Sequence, residues 1–449
     1  MRVLFDSTFT MSSGKQSGIE RVVRSLLAVA LEQCENNLEL NSDVTVVPVF
    51  IHDGAIFKLG PDATGWFKSV ASYQADCLKS APRGYEIFAK AICTLVGSRK
   101  VRSWLLPSPG HLGIFKSWYK RRLAIAFREA AKNSTQIDVD SNDVLWLPDA
   151  YWATSDIVPG LLAAKNSGAC IACLVYDLIP LEDEVTGKFD VLRNKNFARY
   201  LESIVTFADV VLTISNTVRE QLEDFIALQW PNQTASREVF AIPLGAEINV
   251  PLGGIRQELS DFFMIPGRVN PYLCLGTFEP RKNQGFVLDA FERLWEDNPE
   301  MRICFIGRVG WQCDKIIDRL RTHPERGRRL LVCYNASDAE VGYCYQNCRA
   351  FLTASRSEGF GLPIVEAQWH RKPILASKIA VHCEVGGDAC TYFDLASPLE
   401  LVRVVSELEN RLAYDSPQSK IGVKITTWAE SWENCRGRLI DGFKRKQSL

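Results

Sequence analysis

The stretch AFLTASRSEGFGLPIVEAQW, residues 350–369, reads as a strand, a loop and the start of a helix. AFLTAS (350–355) is short and apolar, as a strand covered on both faces of a parallel sheet should be. Pro363 suits the first turn of a helix, where its missing N–H would have no partner anyway, so a helix is predicted over 363–371. The loop between them lies at the carboxyl end of a strand, where doubly wound folds bind ligands. Gly359 and Gly361 let the backbone approach a ligand closely. The helix start favours an anion such as a phosphate. Glu358 and Glu366 stand on either side with seven residues between them. A carboxylate beside a phosphate site accepts hydrogen bonds from hydroxyls. Glu366 suits a ribose diol and Glu358 a sugar. The implied ligand has hydroxyls, a diphosphate and hydroxyls again: a nucleotide sugar.

Outward from this stretch, apolar runs alternate with helical periods, the order of an α/β fold with mostly parallel sheets. Candidate strands in the first half are 2–9, 43–50, 143–152, 169–178, 209–215 and 238–244. VPLGGIRQELSDFFMIPGR (250–268), rich in Pro and Gly, reads as a connection. After it come strands at 272–278, 301–307, 328–334, 350–355 and 373–377, with helices at 284–297, 311–321, 338–348, 363–371 and 398–411. The expectation is two tandem Rossmann-like doubly wound domains, 1–250 and 251–425. A final helix, 426–449, is expected to pack back toward the first.

The chain has 449 residues, 47% apolar and 23% charged, with a net charge of −1, so no global field selects nucleic acid. No apolar run approaches the 18 residues of a membrane span. MRVLFDSTF reads as a first strand and not a secretion signal, which points to the cytoplasm and reduced thiols for the 14 cysteines. Cys170 and Cys173, the one C-x-x-C, would face opposite sides of a strand, and no second pair follows at zinc spacing. One segment is biased: residues 83–132 hold 11 Lys or Arg against two Glu, a net charge of about +9. There FKSWYKRRLAIAF interleaves cations with Trp118, Tyr119 and Phe127, as a solvated helix face or as a surface that docks on anionic lipid.

GTFEPRKNQ (276–284) also follows a strand, and its Arg281 and Lys282 could neutralise a departing diphosphate. The one D-x-D, Asp138 and Asp140, follows a polar run and reads as loop, so no metal site is expected. A dinucleotide oxidoreductase would need G-x-G-x-x-G after a strand, which neither SGKQSG nor GTFEPRKNQG supplies.

With GTFEPRKN, FIGRVGW, ASDAEVGYCYQNC, SRSEGFGLPIVEA and HCEVGGDA in hand, the chain resembles the retaining glycosyltransferases of family 4, which have the GT-B fold of two Rossmann-like domains facing across a cleft. SGIERV, YDLIPL, ISNTVREQL and IPLGAE extend the likeness into the first half, but residues 52–140 match nothing in it. The flavour is that of mannosyltransferase-like members of O-antigen and capsule assembly. The resemblance implies that Glu358 contacts donor sugar hydroxyls while Gly359, Phe360, Gly361 and Leu362 offer backbone to sugar and phosphate. It implies that Glu366 holds the ribose, Arg281 and Lys282 grip the diphosphate, Gly18 lets donor and acceptor approach, and Asn335 lies near the base. No cofactor or metal is implied. The acceptor would be a glycan or lipid-linked oligosaccharide, with the enzyme peripheral on the inner face of the membrane. Ser17 with Glu20, and Ser337 with Glu340, read as capping boxes. Tyr176-Asp177 stands where many members have His-Asp, so no histidine-dependent role carries over, and Asp177 is left to hold the acceptor or a loop. Arg371 replaces a usual glycine at a helix end. A nucleotide-sugar epimerase and a non-catalytic sugar-nucleotide-binding subunit are the alternatives.

Overall fold

The structure is a computed structural model that describes residues 1–13, 18–37, 44–60, 125, 127–150, 152, 157–182, 194–230, 238–248, 254–414 and 425–448. Ser17 and most of the basic segment, including Lys120, Arg121 and Arg122, lie outside the described residues. The chain forms two units, one of Met1–Ile214, Val218–Pro243 and Trp428–Leu449, the other of Ser215–Thr217 and Leu244–Thr427.

Among the described residues the first unit has seven strands: β1 (Arg2–Asp6), β2 (Thr45–His52), β3 (Ala55–Lys58), β4 (Asp143–Leu147), β5 (Cys170–Val175), β6 (Val210–Thr213) and β7 (Val239–Ala241). Their order is β3-β2-β1-β4-β5-β6-β7. Every pair is parallel except β2 with β3. That hairpin turns at Asp53 and Gly54, both at positive φ (47° and 80°), the backbone a two-residue hairpin loop demands. All residues of β4, β5 and β6 are buried, which is why they read as unbroken apolar runs. Cys170 and Cys173 are core residues of β5, and burial pushes the Cys170 thiol up to about 12. The helix Trp428–Gln447 packs on this sheet. Its Trp432 meets Trp146 at 5.6 Å, and Lys446 Nζ pairs with Asp209 at 3.1 Å. Phe127, an aromatic of the basic segment, is buried against Phe50 and His52 rather than displayed on a charged face.

Strand order reverses between β1 and β4. There two carboxylates that no sequence motif marks are fully buried, Asp6 and Asp149. Asp149 accepts from Thr10 N (2.7 Å), Thr10 Oγ1 (3.0 Å) and Ala150 N (2.8 Å). Asp6 accepts from the Thr8 amide and hydroxyl through Oδ1, while Oδ2 has no partner among the described residues. Burial, with Asp149 beside it, raises the Asp6 carboxyl, and burial likewise raises Asp149.

Among the described residues the second unit has six strands, β8 (Tyr272–Leu275), β9 (Ile303–Gly307), β10 (Leu330–Tyr334), β11 (Phe351–Thr353), β12 (Ile374–Ser377) and β13 (Cys390–Phe393), all parallel in the order β10-β9-β8-β11-β12-β13. Helices Gln284–Asp297, Asp314–Thr322 and Pro398–Tyr414 cover one face. Helices Gln257–Phe263, Asp338–Asn347 and Leu362–Trp369 cover the other. The Ser337–Glu340 capping box is present, and Glu340 also pairs with Arg256. The sequence did not anticipate β3, β13 or the helix Ala380–Gly386.

An acid whose folded pKa is raised contributes full stability below its unfolded value and loses it as pH rises through the folded one. For Asp6 that window runs from about 4 to about 7. Asp6→Asn should flatten the fall in the first unit's unfolding free energy across this window by a few kcal/mol. Denaturant melts of both proteins at a series of pH values measure it, and parallel profiles would contradict a buried, proton-bearing Asp6.

Candidate functional site

In the second sheet the order reverses between β8 and β11, so the loops after these two strands open at the switch point where such folds bind ligands. The loop after β8 ends in a tight 3-10 turn, Pro280–Lys282. Asn283 at φ 55° then turns the chain into helix Gln284–Asp297, and Gln284 Nε2 donates to Thr277 O at 2.9 Å to close the loop. This turn brings Arg281 and Lys282 onto Glu358 from the loop after β11. Arg281 Nη1 donates to Glu358 Oε2 at 2.8 Å and to Ser357 O at 3.0 Å. Lys282 Nζ donates to Glu358 Oε1, which also accepts from Ser355 Oγ at 2.7 Å. Arg281 Nε meets Glu279 at 2.6 Å. The backbones join too, with Arg356 N donating to Arg281 O at 2.8 Å.

These side chains are largely removed from water, at 24%, 14% and 9% exposure for Arg281, Lys282 and Glu358. Burial alone would raise the Glu358 carboxyl, but Lys282 and Arg281 outweigh it and hold the group well below the usual carboxylate range. Burial pushes the Lys282 ammonium below its ordinary value, with Glu358 opposing. Two cations are therefore stored beside a helix start, neutralised by carboxylates that an anionic ligand can replace.

Glu366 lies one turn into helix Leu362–Trp369 and is 3% exposed. Tyr345 of helix Asp338–Asn347 donates its hydroxyl toward Glu366 Oε2 at 2.9 Å and toward Pro363 O at 3.1 Å. The Tyr345 ring stacks on His370 at 5.4 Å, which fixes the phenol. Gly361 caps this helix at φ 95°, and a Cβ there would also meet His382 Cδ2 at 3.5 Å. His382 is buried. Its Nδ1 lies 3.0 Å from Ser377 O, and Ser377 Oγ donates to Ser355 O at 2.6 Å, so β11 and β12 are tied at the base of the Glu358 loop. Gly359 and Phe360 are buried, and Leu362 is half-buried. Asn335 follows β10 in the left-handed region (φ 53°), a conformation asparagine tolerates, and its N–H donates to Gly307 O at 3.2 Å.

Gly18 and Asp177 belong to the first unit. Gly18, at φ 59°, precedes helix Ile19–Asn37 with open space at its Cβ position. Asp177 Oδ1 accepts from Ile179 N at 3.1 Å at the start of the 3-10 turn Ile179–Leu181. Tyr176, in the place of a histidine, is buried and donates to Pro148 O at 2.6 Å. Its hydroxyl is part of the packing between β4 and β5. Sequence reasoning missed Glu279, Ser355, Tyr345 and His382. Each sits in or beside a motif, yet its partner is set by strand order and not by spacing.

Residues 256–410 match the family described as Glycosyl transferases group 1. The second unit carries a group 1 glycosyltransferase domain. Over 395 residues the chain is 26% identical to the serotype-specific mannosyltransferase WbdA of Escherichia coli, covering 86% of this chain and 45% of that one. Over 175 residues it is 30% identical to the O-antigen chain mannosyltransferase B of Escherichia coli, covering 38% and 45%. The chain thus spans less than half the length of these relatives. Anabaena Alr3699/HepE, solved in complex with UDP and glucose, superposes with a TM-score of 0.52 at 16% identity, covering 100% of this chain and 98% of that one. The fold is GT-B, two Rossmann-like domains.

On the reading proposed below, in which Glu366 faces a nucleotide, Tyr345→Phe should weaken nucleotide binding by about 10- to 150-fold, as expected for one lost hydrogen bond to a charged group. Calorimetry with a nucleoside diphosphate measures this. An unchanged affinity would mean that Tyr345 does not orient Glu366.

Proposed function

We propose that the protein is a retaining, metal-independent glycosyltransferase. It moves a hexose, mannose from GDP-mannose, to a hydroxyl of a glycan or lipid-linked oligosaccharide. The observation that carries this reading is the bridging of Arg281 and Lys282 by Glu358 at the β8–β11 switch point, with Glu366 held by Tyr345 on the adjoining helix. The names of the mannosyltransferase relatives favour mannose.

The diphosphate enters at the start of helix Leu362–Trp369 and takes Arg281 and Lys282 as counter-charges. Glu358, released from part of its ion pairing, accepts from the sugar hydroxyls, and Glu366 accepts from the ribose. In the reaction the bond from the anomeric carbon to the phosphate oxygen breaks. The acceptor oxygen bonds to that carbon on the same face, and its proton passes to the departing diphosphate. Glu358 serves poorly as a nucleophile, because its oxygens divide between the remaining ion pairing and the sugar hydroxyls and its carboxyl is held well below the usual carboxylate range. Charge on the leaving group is met by Arg281 and Lys282, so the reading requires no metal. Losing Lys282 should cost about 10²–10³ in kcat.

Purified protein is titrated with GDP-mannose and UDP-glucose beside Glu366→Ala, and the product with acceptor is read by NMR. The expected result is GDP-mannose binding that Glu366→Ala weakens at least tenfold, an α-linked product, and Lys282→Ala inactive at that level. Inverted product would sink retention, and conversion of the donor without acceptor would favour an epimerase.

The basic segment 83–132 would seat the enzyme on the anionic inner face of the membrane, where a lipid-linked acceptor resides. Among the described residues no helix is long and apolar enough to cross it. Neutralising Lys120, Arg121 and Arg122 together should reduce sedimentation with vesicles containing phosphatidylserine. Full retention by the triple variant would refute a surface dock.

A further inference from the structure

The loop that leaves β9, Arg308-Val309-Gly310-Trp311, has no part in the site as described. Its place in the fold is tightly set. Phe278 N donates to Arg308 O at 2.8 Å, and Gly310 N donates to Phe278 O at 3.0 Å. Phe278 also pairs with Val309 as an isolated parallel bridge. A Cβ on Gly310 would lie 2.7 Å from Phe278 O, and one on Gly307 would lie 2.0 Å from Gly276 O. The loop is therefore pressed against the segment that leads to Arg281 and Lys282. On its other side, Gly307 O accepts from Asn335 N at 3.2 Å. Arg308 thus stands between the loop that carries the two phosphate-binding cations and the loop of Asn335.

Two features of this loop have no structural use. Arg308 is half-buried, yet its guanidinium makes no hydrogen bond or ion pair with the described residues. The cations around it are committed: Arg281 and Lys282 to Glu358, Arg256 to Glu340. Trp311 is 43% exposed, although a tryptophan gains most by burial. Side chains alternate along an extended chain. Ile306 belongs to the core beneath helices Asp338–Asn347 and Leu362–Trp369. Arg308, two residues on, shares that side, the side of Glu366.

We infer that Arg308 is the base-reading residue of the donor site and that its guanidinium takes guanine. The inference rests on the nucleotide-sugar reading above and adds what in the site reads the base. A guanidinium offers two parallel N–H donors, which match the adjacent O6 and N7 acceptors of guanine. Adenine sets a donor amine beside N7, and uracil flanks its O4 with an N–H, so neither satisfies the fork.

Calorimetry with GDP, IDP, ADP and UDP tests this on the full chain. IDP keeps O6 and N7 without the guanine amine. Unmodified protein should bind IDP within about threefold of GDP, and ADP and UDP at least about tenfold more weakly. Arg308→Met should weaken GDP by roughly 5- to 150-fold and UDP by less than about twofold. Equal losses for GDP and UDP in Arg308→Met would make Arg308 a phosphate contact and overturn the inference. So would ADP binding as well as GDP in unmodified protein, a comparison that stands even if a variant fails to fold. Tight UDP binding with no preference for GDP would overturn guanine recognition while leaving the nucleotide-sugar reading intact. Absence of binding by all four nucleotides would overturn both.

Discussion

Glu358 is one carboxylate shared between two cations on a different loop. With the backbone bond from Arg356 N to Arg281 O, it joins the loops that follow β8 and β11. The pair of loops could diverge at the point where strand order reverses, because no strand-to-strand hydrogen bonds extend that far. The shared carboxylate closes this gap. Removing one partner of such a buried cluster typically costs 3–5 kcal/mol, because charge is left unpaired away from water. The same cluster is poised for exchange. It stores positive charge at low electrostatic cost, and in the proposed function an incoming polyanion takes over the role of Glu358 while Glu358 turns to neutral hydroxyls.

Around that exchange the supporting residues do not touch each other's tasks. Tyr345 steadies Glu366 from one helix. His382 and Ser377 lock the strand ends under the Glu358 loop. Asn283 and Gly361, both in the left-handed region, start the two helices whose amino ends flank the site. A site whose charged groups are individually braced loses little entropy when ligand arrives, which is where preorganised binding gains its affinity.

Most of this fold was legible in the sequence because its strands are buried on both faces. β4, β5, β6, β9 and β10 are apolar nearly throughout, and helices such as Gln284–Asp297 carry their own periodicity. β3 was missed although Asp53-Gly54 is a strong hairpin signal; it is four residues long and half-exposed, and its pattern is weak. β13 is a short edge strand with three half-buried residues. The site was legible where chemistry is packed into consecutive positions, as in EPRK and EGFGLP. It was illegible where residues meet through topology. Asp6 and Asp149 are 143 residues of chain apart in everything but the adjacency of β1 and β4, and no local pattern announces a carboxylate that will be buried. Arg308 and Trp311 stood in a stretch noted for its likeness alone, and only the close packing of Gly307 and Gly310 shows what they adjoin.

The helix Trp428–Gln447 belongs to the first unit, although the main segment of the second unit, Leu244–Thr427, is threaded between it and the preceding part of the first. Trp432, Cys435 and Leu439 are all buried there. During synthesis the ribosome therefore completes the second unit before the first can close its own core. A nascent first unit waits with Trp146 uncovered while some 180 residues emerge and fold, since domains generally fold as units in order of synthesis. The order in which the two halves become competent is thus the reverse of the order in which they begin.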